Sequence, residues 1–236
     1  MKLSELFSYL TYGELASLQS GGKGQGGIHP EHSDEILTYI RQGLTDLHTR
    51  FPLKQGELVV QLLEEVTRYT LLSEHAYSNT ESDSYYKYID DDGMYPFQDD
   101  IIRIEQVFNE VGCELMMNEE SCNCTIFTPM YNVLQVTDPE DTNALAVLYK
   151  ADHKPIKLSP EDDPSKIEID IPSSLINPLC FYVAALAHNA VGTTEGINTG
   201  FGKMQQYEAA CIQADIRGIV NNATFDDTRL DQNGWV

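Results

Sequence analysis

Apolar residues recur at helical spacing at both ends of the chain and at strand-like spacing in its middle. Leu3, Leu6, Phe7, Leu10, Leu15 and Leu18 predict a helix over 3–19 that Gly13 interrupts. Ile36, Leu37, Ile40, Leu44, Leu47 and Phe51 form an i, i+4 stripe over 33–51. Ser33 stands where a cap is needed, Asp34 and Glu35 sit where the helix dipole favours acids, and Pro52 stops the helix. Leu175, Leu179, Tyr182, Val183 and Leu186 predict a third helix, capped by Ser173 or by Asn177 with Pro178 at the first helical position. Gly192, Gly196, Gly200 and Gly202 predict a loop, and a last helix follows over 201–217. Met204, Tyr207, Cys211 and Ala214 lie on one face of it, and Gly218 is the stop.

The middle is harder to read. Residues 56–72 fit a helix through Leu58, Leu62, Val66 and Tyr69. They fit equally two strands around Val59-Val60 and 66–70, although Glu64-Glu65 is a poor hairpin turn. From 101 onward the residues are strand formers. The predicted strands are 101–108 and 114–117 around a turn at Asn109–Gly112, then 132–136, 144–150 and 166–171. Asp138-Pro139 and Ser159-Pro160 mark breaks. Helices at both ends and strands between them predict an α+β fold.

Three segments fit neither pattern. Residues 21–27 hold five glycines in seven and read as a flexible linker. No strand precedes them and the phosphate-loop order is missing. Residues 77–100 are polar and rich in Tyr and Asp. Over 81–100 seven acids accompany one lysine, with Tyr85, Tyr86, Tyr88, Tyr95 and Phe97 interleaved. This reads as a solvated loop or, because tyrosines on a polar background suit interfaces, as a contact loop. Residues 221–236 form a polar tail that carries the only tryptophan, Trp235. An indole on a polar tail is costly to leave in water, so Trp235 is expected to dock into a pocket of its own chain or a neighbour.

Charge narrows the function. The 236 residues carry 37 acids against 15 Lys and Arg, a formal net charge of −22. Such a chain does not hold DNA or RNA through its overall field, and anionic membranes repel it. No apolar run is long enough to span a bilayer, and the start of the chain does not read as a signal peptide. Five cysteines, Cys113, Cys122, Cys124, Cys180 and Cys211, read as free thiols of a reducing cytoplasm. Cys113, Cys122 and Cys124 lack zinc spacing, and Asp90-Asp91-Asp92-Gly93 lacks the alternation of a calcium loop. The six histidines form no metal or catalytic motif, and His188 reads as a structural histidine near a helix end. No catalytic residue, cofactor site or metal site is predicted, and the chain is not expected to be an enzyme.

Several stretches together resemble the head-to-tail adaptor (connector, neck) proteins of tailed bacteriophages, the short-tailed type in particular. They are Tyr12–Leu18 with the glycine run, Ile36–Phe51 followed by Pro52-Leu53-Lys54, and Glu57–Leu63 with Thr67–Leu72 as a first hairpin. Ile104–Val107 with Leu115–Asn118 resembles a second hairpin. Ile169–Pro172 leading into Leu175–Ala190 and Tyr207-Glu208 resembles a helical hairpin, and Gly234-Trp235-Val236 a terminal docking segment. The resemblance does not account for 77–100 or 119–130. It implies a small helical bundle, residues 1–55 and 172–220, with an inserted antiparallel β region over 56–171, which decides 56–72 in favour of strands. It also implies a ring of twelve copies at the head-tail junction of the virion, made in the bacterial cytoplasm. The ring would bind the portal protein and a tail protein and let genomic DNA pass during ejection without specific binding. Residues 221–236 would be the docking tail, with Phe225, Leu230, Gly234, Trp235 and Val236 at the portal or subunit interface. Acidic walls suit such a channel, because they repel phosphate and let DNA slide. The alternatives are another tail-completion or tail-tube component, or an acidic protein that imitates DNA charge to bind a basic partner.

Overall fold

A computed structural model describes residues 1–18, 28–91, 96–119, 126–139, 143–158 and 162–218. The fold is α+β, with helices α1 (Leu3–Tyr12), α2 (Ser33–Arg50), α3 (Ile176–Ala190) and α4 (Thr194–Ile216). The strands are β1 (Gln55–Gln61), β2 (Arg68–Thr70), β3 (Ile89–Asp90), β4 (Ile101–Phe108), β5 (Ile126–Met130), β6 (Val133–Val136) and β7 (Ala144–Ala151). Contacts divide the chain into two compact units. One comprises Met1–Gly43 and the chain from Ile156 onward, the other Leu44–Pro155. The glycine run 21–27, Cys122, Cys124, the Ser159-Pro160 break and the tail 221–236 lie outside the described residues.

In the helical unit α1 starts behind Lys2, whose N–H donates to the Glu5 carboxylate at 3.0 Å. The helix stops at Gly13 and turns follow to residue 18, so the expected helix over 3–19 is shorter. Leu3, Leu6, Leu10 and Leu15 are nonetheless all fully buried. The third helix is not capped by a side chain. A 3₁₀ turn, Ser173–Leu175, leads directly into α3, and Pro178 lies inside the first turn, where its missing N–H leaves no helical bond unmade. The predicted glycine loop is corrected too. Only Gly192 lies between the helices; Gly196, Gly200 and Gly202 belong to α4. Thr193 caps α4 by accepting from the Gly196 N–H at 3.1 Å. Gly218 ends this region in the left-handed conformation, φ 61°.

The β unit holds two antiparallel sheets, ordered β3-β1-β7-β4 and β2-β6-β5. Residues 56–72 do form strands, but they do not pair as a hairpin. β1 runs against β7 from Gln55↔Lys150 to Gln61↔Ala144, while β2 pairs β6 in the other sheet. In β7, Leu145, Val147, Tyr149 and Ala151 alternate into a core shared with Leu58, Val60, Tyr69, Tyr88 and Phe97. The partner expected for β4, residues 114–117, makes only isolated bridges, Phe108↔Glu114 and Met117↔Ile126. The strand expected at 166–171 is likewise one bridge, Lys2↔Glu168, beside a 3₁₀ turn at Pro164–Lys166.

Two contacts fasten the end of α2 within the β unit. Buried Lys150 donates to the Thr49 carbonyl at 2.8 Å, placing a cation on a helix C-terminus. Buried His48 faces the Ala151 carbonyl at 3.2 Å through Nδ1.

Candidate functional site

The Tyr/Asp segment is neither wholly solvated nor wholly a contact loop. Tyr88, Ile89 and Phe97 are core residues, and Ile89-Asp90 pairs Val60-Val59 of β1. Two of its acids organise the backbone, and a third ties side chains together. Asp91 accepts from the Ser78 hydroxyl at 2.5 Å and from the N–H groups of Ser78 and Phe97 at 3.0 Å. Burial works to raise the Asp91 carboxyl, but these hydrogen bonds outweigh it and hold the group below the usual carboxylate range. Asp99, at φ 57°, accepts from the N–H and hydroxyl of Ser73. Asp100 pairs Lys54 and accepts from the Tyr149 hydroxyl at 3.1 Å.

Part of what remains exposed is a tip. Tyr85 is 90% exposed and meets Tyr86 edge to face at 4.8 Å. Tyr86 donates to Glu65 at 3.3 Å, with Glu81 and Asp83 exposed nearby in the chain. The tip is held from below by His75, which stacks on Tyr88 at 4.6 Å and meets the Ser84 hydroxyl at 2.9 Å. Aromatic rings among carboxylates, on a rigid base, form a surface suited to a partner with cationic or amide groups.

The helical unit presents a second surface. The inward face predicted for α4 is correct in Tyr207, Cys211 and Ala214, which are buried, while Met204 is half-buried. Its outward face carries Ile197, Phe201, Ile212 and Ile216, all exposed. Sequence reasoning missed this face because it read the helix only from 201 and only for its core. The signal was present as apolar residues at 197, 201, 212 and 216, positions that share one side of a 3.6-residue helix.

The interface residues predicted in the tail, Phe225, Leu230, Gly234, Trp235 and Val236, lie outside the described residues. Among the described residues there is no group of three His, Cys, Asp or Glu side chains placed to hold a metal ion. Cys113 is exposed, while Cys180 and Cys211 are buried. Burial first and Glu14 second push the Cys180 thiol up to about 12, so it stays protonated at neutral pH. His188 is buried, with Nε2 3.4 Å from the Glu14 carbonyl. No helix among the described residues is long and apolar enough to cross a membrane.

His48 is a buried titratable group whose charged form burial disfavours, as it does for Lys150. Its Nδ1 faces a carbonyl and so carries the proton, which leaves buried Nε2 without a hydrogen-bond partner. Burial lowers its pKa. Ala151 and Asp152 oppose that shift, and His153 and Lys54 add to it. The sign follows from linkage. Above the ordinary histidine pKa both folded and unfolded chains are neutral here. As pH falls below it, the unfolded chain takes up a proton that the folded chain refuses, and stability drops. His48→Gln keeps a donor for Ala151 and removes the titration. Its urea midpoint is therefore expected to fall less than the parent's between pH 7 and pH 5. Equal falls would show that His48 does not carry the acid sensitivity.

Comparison with protein-family models and with curated proteins finds no match for this chain.

Proposed function

We propose that this chain is a structural virion protein that assembles into a ring of twelve copies, joins the portal to the tail and extends the DNA channel between them. The observation that carries the reading is the net charge of −22 on a chain with a buried α+β core. A conduit must not grip the polymer that slides through it, and a wall of carboxylates repels phosphate at every position. The same charge keeps free subunits apart, so assembly must rest on local apolar contacts that outweigh repulsion between copies. The layout of terminal helices around central strands supports the reading through its resemblance to phage adaptors. In this reading the protein works at the head-tail junction and catalyses no reaction.

Purified chain mixed with the portal protein of its phage is expected to give a ring-on-ring species with a continuous central channel in electron micrographs. Deleting 221–236 is expected to abolish that species. If no such species forms, and the deletion leaves particle assembly unchanged, the reading fails.

A second reading draws on the tyrosine tip, where Tyr85 and Tyr86 sit among Glu65, Glu81 and Asp83. A protein that imitates DNA charge would hold a basic partner there. That binding would weaken steeply with salt, whereas portal binding through apolar anchors would not.

A further inference from the structure

We infer that His48 and His153 form an acid-released clasp, which holds the entry and exit of the β unit together at neutral pH and lets the exit come away from α2 in mild acid. The chain enters this unit at Leu44, within α2, and leaves it after Pro155. The inference stands whether or not the chain forms a ring.

One face of α2 makes the clasp. Thr45, His48 and Thr49 stand three and four residues apart and so share a side of the helix. The Thr45 hydroxyl donates to the Asp152 carboxylate at 3.0 Å, and His48 donates through Nδ1 to the Ala151 carbonyl at 3.2 Å. The Thr49 carbonyl accepts from Lys150 at 2.8 Å. Lys54 holds the exit from another side, donating to the Asp152 carbonyl at 3.1 Å. The N–H groups of Ala151 and Asp152 donate to the carbonyls of Lys54 and Asp100 at 3.0 and 2.7 Å. Lys154 and Pro155, which follow, are exposed.

His48, 3% exposed, is the trigger. The neutral ring has one N–H and places it on Ala151, while its buried Nε2 has no hydrogen-bond partner. A second proton, on Nε2, creates a buried donor without an acceptor and a buried charge. The charged groups close to the ring decide whether that charge is tolerated. Lys54, which also pairs Asp100, and His153 oppose it, and Asp152 favours it. Asp152 is already engaged, accepting from the Thr45 hydroxyl on one carboxylate oxygen and from the His153 N–H at 2.7 Å on the other. On α2 itself Asp46 and Arg50 pair each other at 2.7 Å, and Lys150 of β7 is held by the Thr49 carbonyl. His153 is half-buried, with its ring 6.0 Å from that of His48 and its Nδ1 2.7 Å from the Lys154 carbonyl. Once both rings carry a second proton, two cations stand side by side under α2. They separate, and His48 reaches water, when Ala151–His153 moves off the helix. That movement breaks the contacts of His48 and Thr45 and leaves β7 paired to β1 from Lys150 to Ala144.

Hydrogen exchange of the full chain tests the clasp, followed by mass spectrometry at about pH 7.5 and about pH 5.5 and corrected for the chemical exchange rate. A peptide covering 150–156 is expected to exchange about five- to tenfold faster in acid, the range that one imidazole titrating at about 6.5 in the open form permits. Peptides covering β2 and β6 are expected to change by less than about twofold, because the opening is local. His48→Gln still donates to Ala151 but takes up no proton, so it is expected to keep the protection seen at neutral pH and to lose the acid response. His153→Gln changes a half-buried side chain and is expected to reduce the response at least about twofold with unchanged circular dichroism. No acid response at 150–156, or the full response in either variant, would overturn the inference. Equal acceleration of β2 and β6 would overturn it too, because acid would then unfold the unit as a whole and only the stability effect of His48 would stand.

Discussion

Replacing Tyr69 with alanine is expected to destabilise the β unit by about 3–5 kcal/mol, a large part of the stability of a typical domain. Tyr69 is fully buried in β2, and its ring meets Tyr88 edge to face at 5.1 Å. Its hydroxyl accepts from the Leu63 N–H at 2.9 Å and faces the Leu63 carbonyl at 3.1 Å, to which it donates. One side chain therefore fills the core and ties down the connection between β1 and β2. Tyr88 does the same for Thr70, accepting from its N–H at 2.9 Å and donating to its carbonyl at 2.8 Å. β2 is an edge strand with a partner on one side only, and the Tyr88 phenol supplies polar contacts that a further strand would otherwise make. Tyr69→Phe separates the two contributions. It keeps the ring and leaves the Leu63 N–H without its partner, while the Leu63 carbonyl still accepts from the Val66 N–H at 2.9 Å, at a cost of about 1–3 kcal/mol. Urea denaturation followed by circular dichroism should rank parent, Phe and Ala in falling stability. An alanine variant within 1 kcal/mol of the parent would contradict the buried position of this ring.

What was legible in the sequence depended on whether several local signals agreed. For α2, the apolar stripe, the acids of the first turn and Pro52 all point to one helix, and it spans Ser33–Arg50 as expected. β4 was recognisable from its isoleucines, but its buried residues Ile101, Ile104 and Val107 recur every third position instead of every second. Two register shifts against β7 insert the extra residues that produce this spacing. β5 was invisible because Pro129 argues against a strand. It is tolerated there because β5 lies at the edge of its sheet. Ile167, Ile169 and Ile171 alternate like a strand, yet their backbone partners are the start of the chain, with Leu3 N–H on the Ile167 carbonyl and Ile169 N–H on the Met1 carbonyl. No local pattern encodes a partner as far as 168 residues away. The acids of 77–100 looked solvated because Asp91, Asp99 and Asp100 act on backbone and side-chain groups that only the fold brings to them. The tail residues that the resemblance marks for docking lie outside the described residues.

Gly200 and Gly202 stand two residues apart in α4 and are expected to respond with opposite signs to the same substitution. By helix propensity alone, glycine to alanine should stabilise either position by up to about 1 kcal/mol. Gly200 is where α4 crosses α3 closely. A Cβ there would lie 2.7 Å from Cγ of Asn189 and 2.8 Å from the Ala185 carbonyl oxygen. The asparagine can turn away, but the carbonyl is part of the α3 backbone and yields only if the helices separate. Overpacking of this kind costs about 1–3 kcal/mol and outweighs the propensity gain, so Gly200→Ala is expected to destabilise the chain. Gly200→Val adds two methyl groups to the same contact and a β-branched residue to a helix, and is expected to lose about 3 kcal/mol or more. The loss should open the seam where Tyr207 lies against Tyr182, their rings 5.2 Å apart. At Gly202 nothing lies within 4 Å of an added Cβ, so propensity acts alone and Gly202→Ala should raise the urea midpoint. Matching shifts in the two alanine variants would mean that α3 and α4 do not approach at Gly200, and the correction of the glycine loop into a packed helix would fail with them.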